Sequence, residues 1–160
     1  MEKNFSPWFR WNGRSDYSGI EYPGIYVVAI SRRNISGEPF SFRREIVYVG
    51  MTNAVAGLKG RLIQFNNTIA QKRLQHGGAD RVLYKHQDYE ALVKNLYVSL
   101  RHFRCFPANE TATDLRTMGR VANAEYQCIA RHVEEDKRGR LPEFNRKKET
   151  LKFSLTHGRG

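Results

Sequence analysis

The feature that most narrows the possible folds is a pair of short, β-branched runs set close together. Residues 25–30 (IYVVAI) follow Pro23-Gly24, and residues 45–51 (EIVYVGM) follow the stretch NISGEPF, whose Gly and Pro mark a turn. Val, Ile and Tyr suit a pleated, half-buried surface, and two such strands joined by one loop most simply form an antiparallel hairpin. Leu58, Leu62, Phe65 and Ile69 then recur at helical spacing, predicting an amphipathic helix to about residue 74 that His76-Gly77-Gly78 stops. A weaker helix is expected over 88–95, and a third strand over 96–103, ended by Pro107. Thr111 or Thr113 caps the longest helix, which runs to about residue 136 on a stripe of Leu115, Met118, Ala122, Ile129 and Val133. This order predicts an α+β fold: a small antiparallel three-stranded sheet flanked by helices, in one domain over 1–160.

Composition limits the function classes. The chain of 160 residues has 27 Lys and Arg against 16 Asp and Glu, a net charge of +11. That excess favours polyanionic partners but does not separate an enzyme from a passive nucleic-acid binder. No run approaches a membrane span, and the polar start lacks the apolar stretch of a secretory signal, so a cytoplasmic location is expected. Cys105 and Cys128 make neither a disulfide framework nor a zinc spacing and read as core residues.

The catalytic-type residues stand in a core of about 23–145, between a lead-in over 1–22 and a basic extension over 146–160. Phe5, Trp8, Phe9, Trp11 and Tyr17 crowd the lead-in, which either packs on the domain or offers rings for base stacking. Glu125 flanks the stripe of the long helix, where it is partly desolvated. It either turns out to solvent, pairs with Arg101 or Arg131, or does chemistry. Arg61 lies beside the stripe of the earlier helix, either as a surface charge or as a bidentate phosphate ligand. Tyr26 shares its strand face with Val28 and Ile30, and Tyr48 shares its own with Ile46. Taken singly, each residue has an ordinary structural reading.

Together they form a pattern. Gly24-Ile25-Tyr26 on one strand and Tyr48-Val49-Gly50 on the next, then Arg61, Glu125 and the Asn145 of Pro142-Glu143-Phe144-Asn145, resemble the GIY-YIG nuclease family over roughly 23–145. Three features depart from it. The tyrosines lie 22 positions apart, and the excess, 31–44, carries Arg32, Arg33, Arg43 and Arg44 as a hairpin extension suited to gripping DNA. Met51 stands where many members have lysine, a charge that Lys59 either replaces or leaves missing. Phe65 occupies the position of a frequent histidine, and His76 matches a later one better.

The resemblance implies a metal-dependent endonuclease acting on double-stranded DNA, of restriction, phage or mobile-element type. The alternative is a non-catalytic basic binding module on the same fold. On the catalytic reading Glu125 holds one Mg²⁺ (or Mn²⁺), and Arg61 neutralises charge growing on the phosphate. Tyr26 is the expected base, Tyr48 positions water or phosphate, and His76 takes or relays a proton. Asn145 ties the chain after the last helix to the core. Arg32, Arg33, Arg43, Arg44, Lys59, Arg146, Lys147 and Lys148 are the expected DNA contacts, with 31–44 and 75–95 as candidate reading segments. Cutting both strands implies a homodimer or higher oligomer.

Overall fold

A computed structural model of the chain describes residues 2–72 and 76–146. Its elements are β1 (Phe9–Arg10), β2 (Gly24–Ile30), β3 (Ile46–Thr52), α1 (Gly57–Ile69), α2 (Gly77–Lys85), α3 (Tyr89–Lys94), β4 (Leu96–His102) and α4 (Ala112–Glu135). The architecture is α+β, but the sheet has four strands rather than three, all antiparallel, in the order β1-β4-β2-β3. The added strand is Phe9–Arg10, paired with Val98 and Tyr97. Two residues are too few to show an alternating pattern. The strand is held because Trp8 enters the core on one face of the sheet and Trp11 enters it on the other. Trp8 and Trp11 are almost wholly buried and Phe5 is buried, so most of the lead-in's aromatic mass serves packing.

The sheet separates two cores. Tyr26, Val28, Tyr48, Val98 and Leu100 face α1, α2 and α3 through Leu58, Leu62, Phe65, Ile69, Val82 and Leu92. Ile25, Val27, Ala29 and Val49 face α4 and the folded segment between β2 and β3. The predicted grouping of Ile46 with Tyr48 is overturned by a bulge. Val28 pairs with Tyr48 but Ala29 pairs with Ile46, so Val47 is the extra residue and Ile46 falls on the opposite face.

The 31–44 segment is no hairpin extension. Ile35 and Phe40 are buried with Phe5 and Trp8, and backbone bonds join Trp8 to Gly37 and Glu38. His76-Gly77-Gly78 opens a helix rather than merely stopping one, because the His76 side chain caps α2. The preceding helix ends at Ile69 and Gln71 takes φ +59°.

In α4 the buried face is turned from the predicted stripe. Asp114, Thr117, Val121, Cys128 and His132 are buried, while Leu115 is 54% exposed. Thr111 caps the helix by accepting from the Asp114 amide, and Phe106 N–H is held by the Asp114 carboxylate at 2.8 Å. The rotation matters for one residue. Glu125 lies four positions after Val121 and three before Cys128, in line with the buried face rather than on its flank.

Candidate active site

Tyr26 and Tyr48 stand on adjacent strands of one sheet face, with their ring centroids 6.0 Å apart. Phe65, from α1, lies 6.4 Å from the first ring, 6.0 Å from the second and 5.0 Å from His76, closing an aromatic cluster. Phe65 therefore fills space where the resemblance would place a histidine. Two glycines make room for the phenols. A Cβ on Gly50 would lie 2.5 Å from the Tyr26 hydroxyl, and one on Gly78 would lie 2.5 Å from the Tyr48 ring.

His76 belongs to this cluster through its place at the start of α2. Its Nδ1 accepts from the amides of Gly78 and Ala79, both at 3.1 Å, so that nitrogen carries no proton. In the neutral ring the proton is then on Nε2, which lies 2.6 Å from Tyr26 Oη. His76 donates and Tyr26 accepts. Burial first, then the positive charge of Arg61, push the imidazole down to about 3, so it stays neutral at ordinary pH. Both ring nitrogens of His76 are thus engaged, Nδ1 by the two amides and Nε2 by Tyr26 Oη.

Arg61 is the charge these groups share. It acts on Tyr26, Tyr48, His76 and Glu125, its Nη1 donates to Gln64 Oε1 at 3.1 Å, and its buried Nε has no hydrogen-bond partner among the described residues. Burial pushes the Glu125 carboxyl up from its usual range, and Arg61 opposes that shift. α4 packs against the edge strand β3, and Glu125 reaches the electrostatic field of Tyr48 from there. Neither predicted ion pair forms. Arg131 pairs with Glu134 and Glu135, and Arg101 lies over the Phe103 ring. Cys128, one turn away, has its thiol pushed up to about 12, chiefly by burial, and is unreactive.

A second cation escaped the sequence reading. Arg81 on α2 acts on both Tyr48 and His76, and its Nε donates to the Phe144 carbonyl at 2.7 Å. It lies three positions after Gly78, one turn along the helix that meets the Tyr48 ring. Recognising His76 as a cap would have exposed that pairing. Lys59 is exposed and two positions from Arg61, on a different side of α1.

Asn145 has the tying role expected of it. Its Oδ1 accepts from Val49 N at 2.8 Å and its Nδ2 donates to Val49 O at 2.7 Å. One carboxamide thus pairs with the free edge of β3, between Tyr48 and Gly50, as a neighbouring strand would. Asn145→Ala removes both bonds. We expect a loss of about 1–3 kcal/mol in chemical denaturation, and unchanged stability would refute the strap.

The basic residues divide. Arg33 and Arg43 were expected on DNA, but both clamp Glu38, at 2.5 and 3.0 Å, and Arg43 also lies 5.6 Å from the Trp8 ring. Arg43 is largely buried and so is a structural residue. Arg32, Arg44 and Arg146 are exposed, and Lys147 and Lys148 lie outside the described residues. Most of 75–95 forms α2 and α3, packed on the sheet, with a buried face of Ala79, Val82 and Leu92.

Among the described residues no three His, Cys, Asp or Glu groups gather as a ligand set. One desolvated carboxylate with no hydrogen bond among those residues suits Mg²⁺, which keeps most of its waters, and does not suit zinc, which needs several nitrogen or sulfur ligands. No helix among the described residues is long and apolar enough to cross a membrane. Comparison of the chain with protein-family models, with curated proteins and with solved structures finds no match.

Proposed function

We propose that the chain is a divalent-metal-dependent endonuclease of GIY-YIG type that hydrolyses phosphodiester bonds in double-stranded DNA. The observation that carries this reading is convergence. Tyr26 from β2, Tyr48 from β3, Arg61 from α1, His76 from the α2 cap and Glu125 from α4 share one electrostatic neighbourhood, though they span a hundred positions of sequence. A purely structural cluster has no need of an arginine, a desolvated carboxylate and two buried phenols at one place.

Glu125 would hold the Mg²⁺ (or Mn²⁺), which supplies Lewis-acid polarisation of the phosphate. Arg61 stabilises negative charge on the non-bridging oxygens as it grows in the transition state. The phenols activate and orient the attacking water, and the buried Phe65 and Leu62 exclude bulk solvent behind them. Exposed Arg32, Arg44 and Arg146 supply salt-sensitive backbone contacts that hold the duplex. Two copies of the chain, each cutting one strand, suit a restriction-type, phage or mobile-element enzyme.

Supercoiled plasmid incubated with the protein and MgCl₂ tests the reading directly. We expect nicked or linear product that EDTA prevents. A plasmid left intact with both Mg²⁺ and Mn²⁺, yet retarded on a gel, would replace the enzyme with a binding module.

A further inference from the structure

Resting on the nuclease reading, we propose that Arg81 forms a second phosphate subsite, which holds a backbone phosphate of the DNA flanking the one that is cut. The subsite is made by α2 and by the chain that straps the edge of β3. Arg81 Nε donates to the Phe144 carbonyl at 2.7 Å, and the next residue, Asn145, makes both of its carboxamide bonds to Val49. Val49 follows Tyr48 in β3, and α2 meets the Tyr48 ring at Gly78, one helical turn before Arg81. The guanidinium is thereby fixed at one corner, beside a phenol of the site.

The rest of the guanidinium has no anion to hold. Phe144 offers a neutral carbonyl, which does not cancel the charge of Arg81. Arg33, Arg43, Arg131 and Arg140 each pair with a carboxylate, whereas Arg61 and Arg81, which both act on Tyr48, have none among the described residues. Arg81 Nη1 and Nη2 make no hydrogen bond among those residues, yet neither is buried as Arg61 Nε is, so solvent reaches them. The nearby acids do not answer them. Glu143 pairs with Lys85 at 2.5 Å, and Asp80, the adjacent residue of α2, lies on another side of the helix. Two N–H donors in a rigid plane match two oxygens of one phosphate. Arg61 on α1 serves the phosphate that reacts, and Arg81 comes from α2 and the strap, so its anion is a neighbour along the strand. That phosphate keeps its charge while the bond breaks, so Arg81 binds the ground state and the transition state alike.

The test reads binding and turnover separately in the full chain. Binding of a fluorescent DNA duplex is followed by anisotropy in EDTA over a series of salt concentrations. Arg81→Ala should weaken it about 10-fold and lower the slope of log Kd against log salt by about 1, the mark of one lost phosphate contact. Arg81→Lys keeps the charge and the slope but loses the fork, and should bind a few-fold more weakly than wild type. Asn145→Ala loosens the same strap without removing a charge and should leave the slope unchanged. In plasmid cleavage with MgCl₂, Arg81→Ala should raise KM about 10-fold and keep kcat within about 2-fold of wild type. If Arg81→Ala unfolds on circular dichroism, Arg81→Lys decides, and wild-type affinity in it overturns the subsite. An unchanged slope in folded Arg81→Ala, an equal slope change in Asn145→Ala, or a kcat that falls at constant KM also overturns it. Each of these leaves the nuclease reading standing. A wild-type chain that binds DNA and cuts nothing overturns both, since no phosphate is then cut for Arg81 to flank.

Discussion

Glu125→Gln is expected to abolish plasmid cleavage, by about 1,000-fold or more, while DNA binding stays within a few-fold of wild type. The substitution keeps the size of the side chain and removes the anionic oxygens a divalent cation needs, so several kcal/mol of transition-state stabilisation are lost. Folding should not suffer. The carboxyl is pushed up from its usual range by burial, so its ionised form is disfavoured in the folded state relative to the unfolded chain. For this group, stability rises as pH falls through the raised value. A neutral amide removes that cost at neutral pH, and Tm should be unchanged or slightly higher. Cleavage at the wild-type rate in MgCl₂ would end the assignment of Glu125 to the metal. Loss of binding together with cleavage would show that Glu125 serves the fold.

Gly50→Ala is expected to damage both stability and site. The added methyl would lie 2.5 Å from the Tyr26 hydroxyl and 2.7 Å from the Tyr48 ring, in a region with no open side. Overpacking of this kind costs about 1–3 kcal/mol, which at this chain length lowers Tm by roughly 5 °C. The phenols must separate to admit the methyl, so activity should fall more than stability does. Gly77→Ala is the control, because nothing lies within 4 Å of a Cβ there. It should leave Tm within about 2 °C, or raise it, since alanine favours helix. Equal effects at the two glycines would show that the packing around Tyr26 and Tyr48 is looser than described.

Much of the fold was legible because its signals are local. β2, β3 and β4 were found within a residue or two, since runs such as GIYVVAI contain β-branched residues with few breakers. The start of α4 followed from the choice of Thr111 or Thr113 as a cap, of which Thr111 takes the place. β1 was not legible, because two residues carry no pattern and its existence depends on Trp8 and Trp11 burying on opposite faces. The turned stripe of α4 was missed because Asp114, Thr117 and His132 are polar and buried, while Leu115 is apolar and exposed. Periodicity read from hydrophobicity alone assigns such residues to the wrong side. Arg33 and Arg43 show the same limit for charge. Nothing local announces that Glu38 sits between them.

By itself the sequence determined the α+β class and the strands that bear the two tyrosines. Those follow from local propensity, which a chain carries wherever it folds, whereas the grouping of Tyr26, Tyr48, Arg61, His76 and Glu125 came from a resemblance of pattern and left out Arg81. Only the tertiary structure decided how the site residues relate. It placed Glu125 in line with a buried face, brought Arg81 rather than Lys59 toward the phenols, and set Asn145 on the open edge of β3. It also fixed the proton on His76, because the direction of a hydrogen bond depends on which groups meet across fifty positions of chain and not on what those groups are.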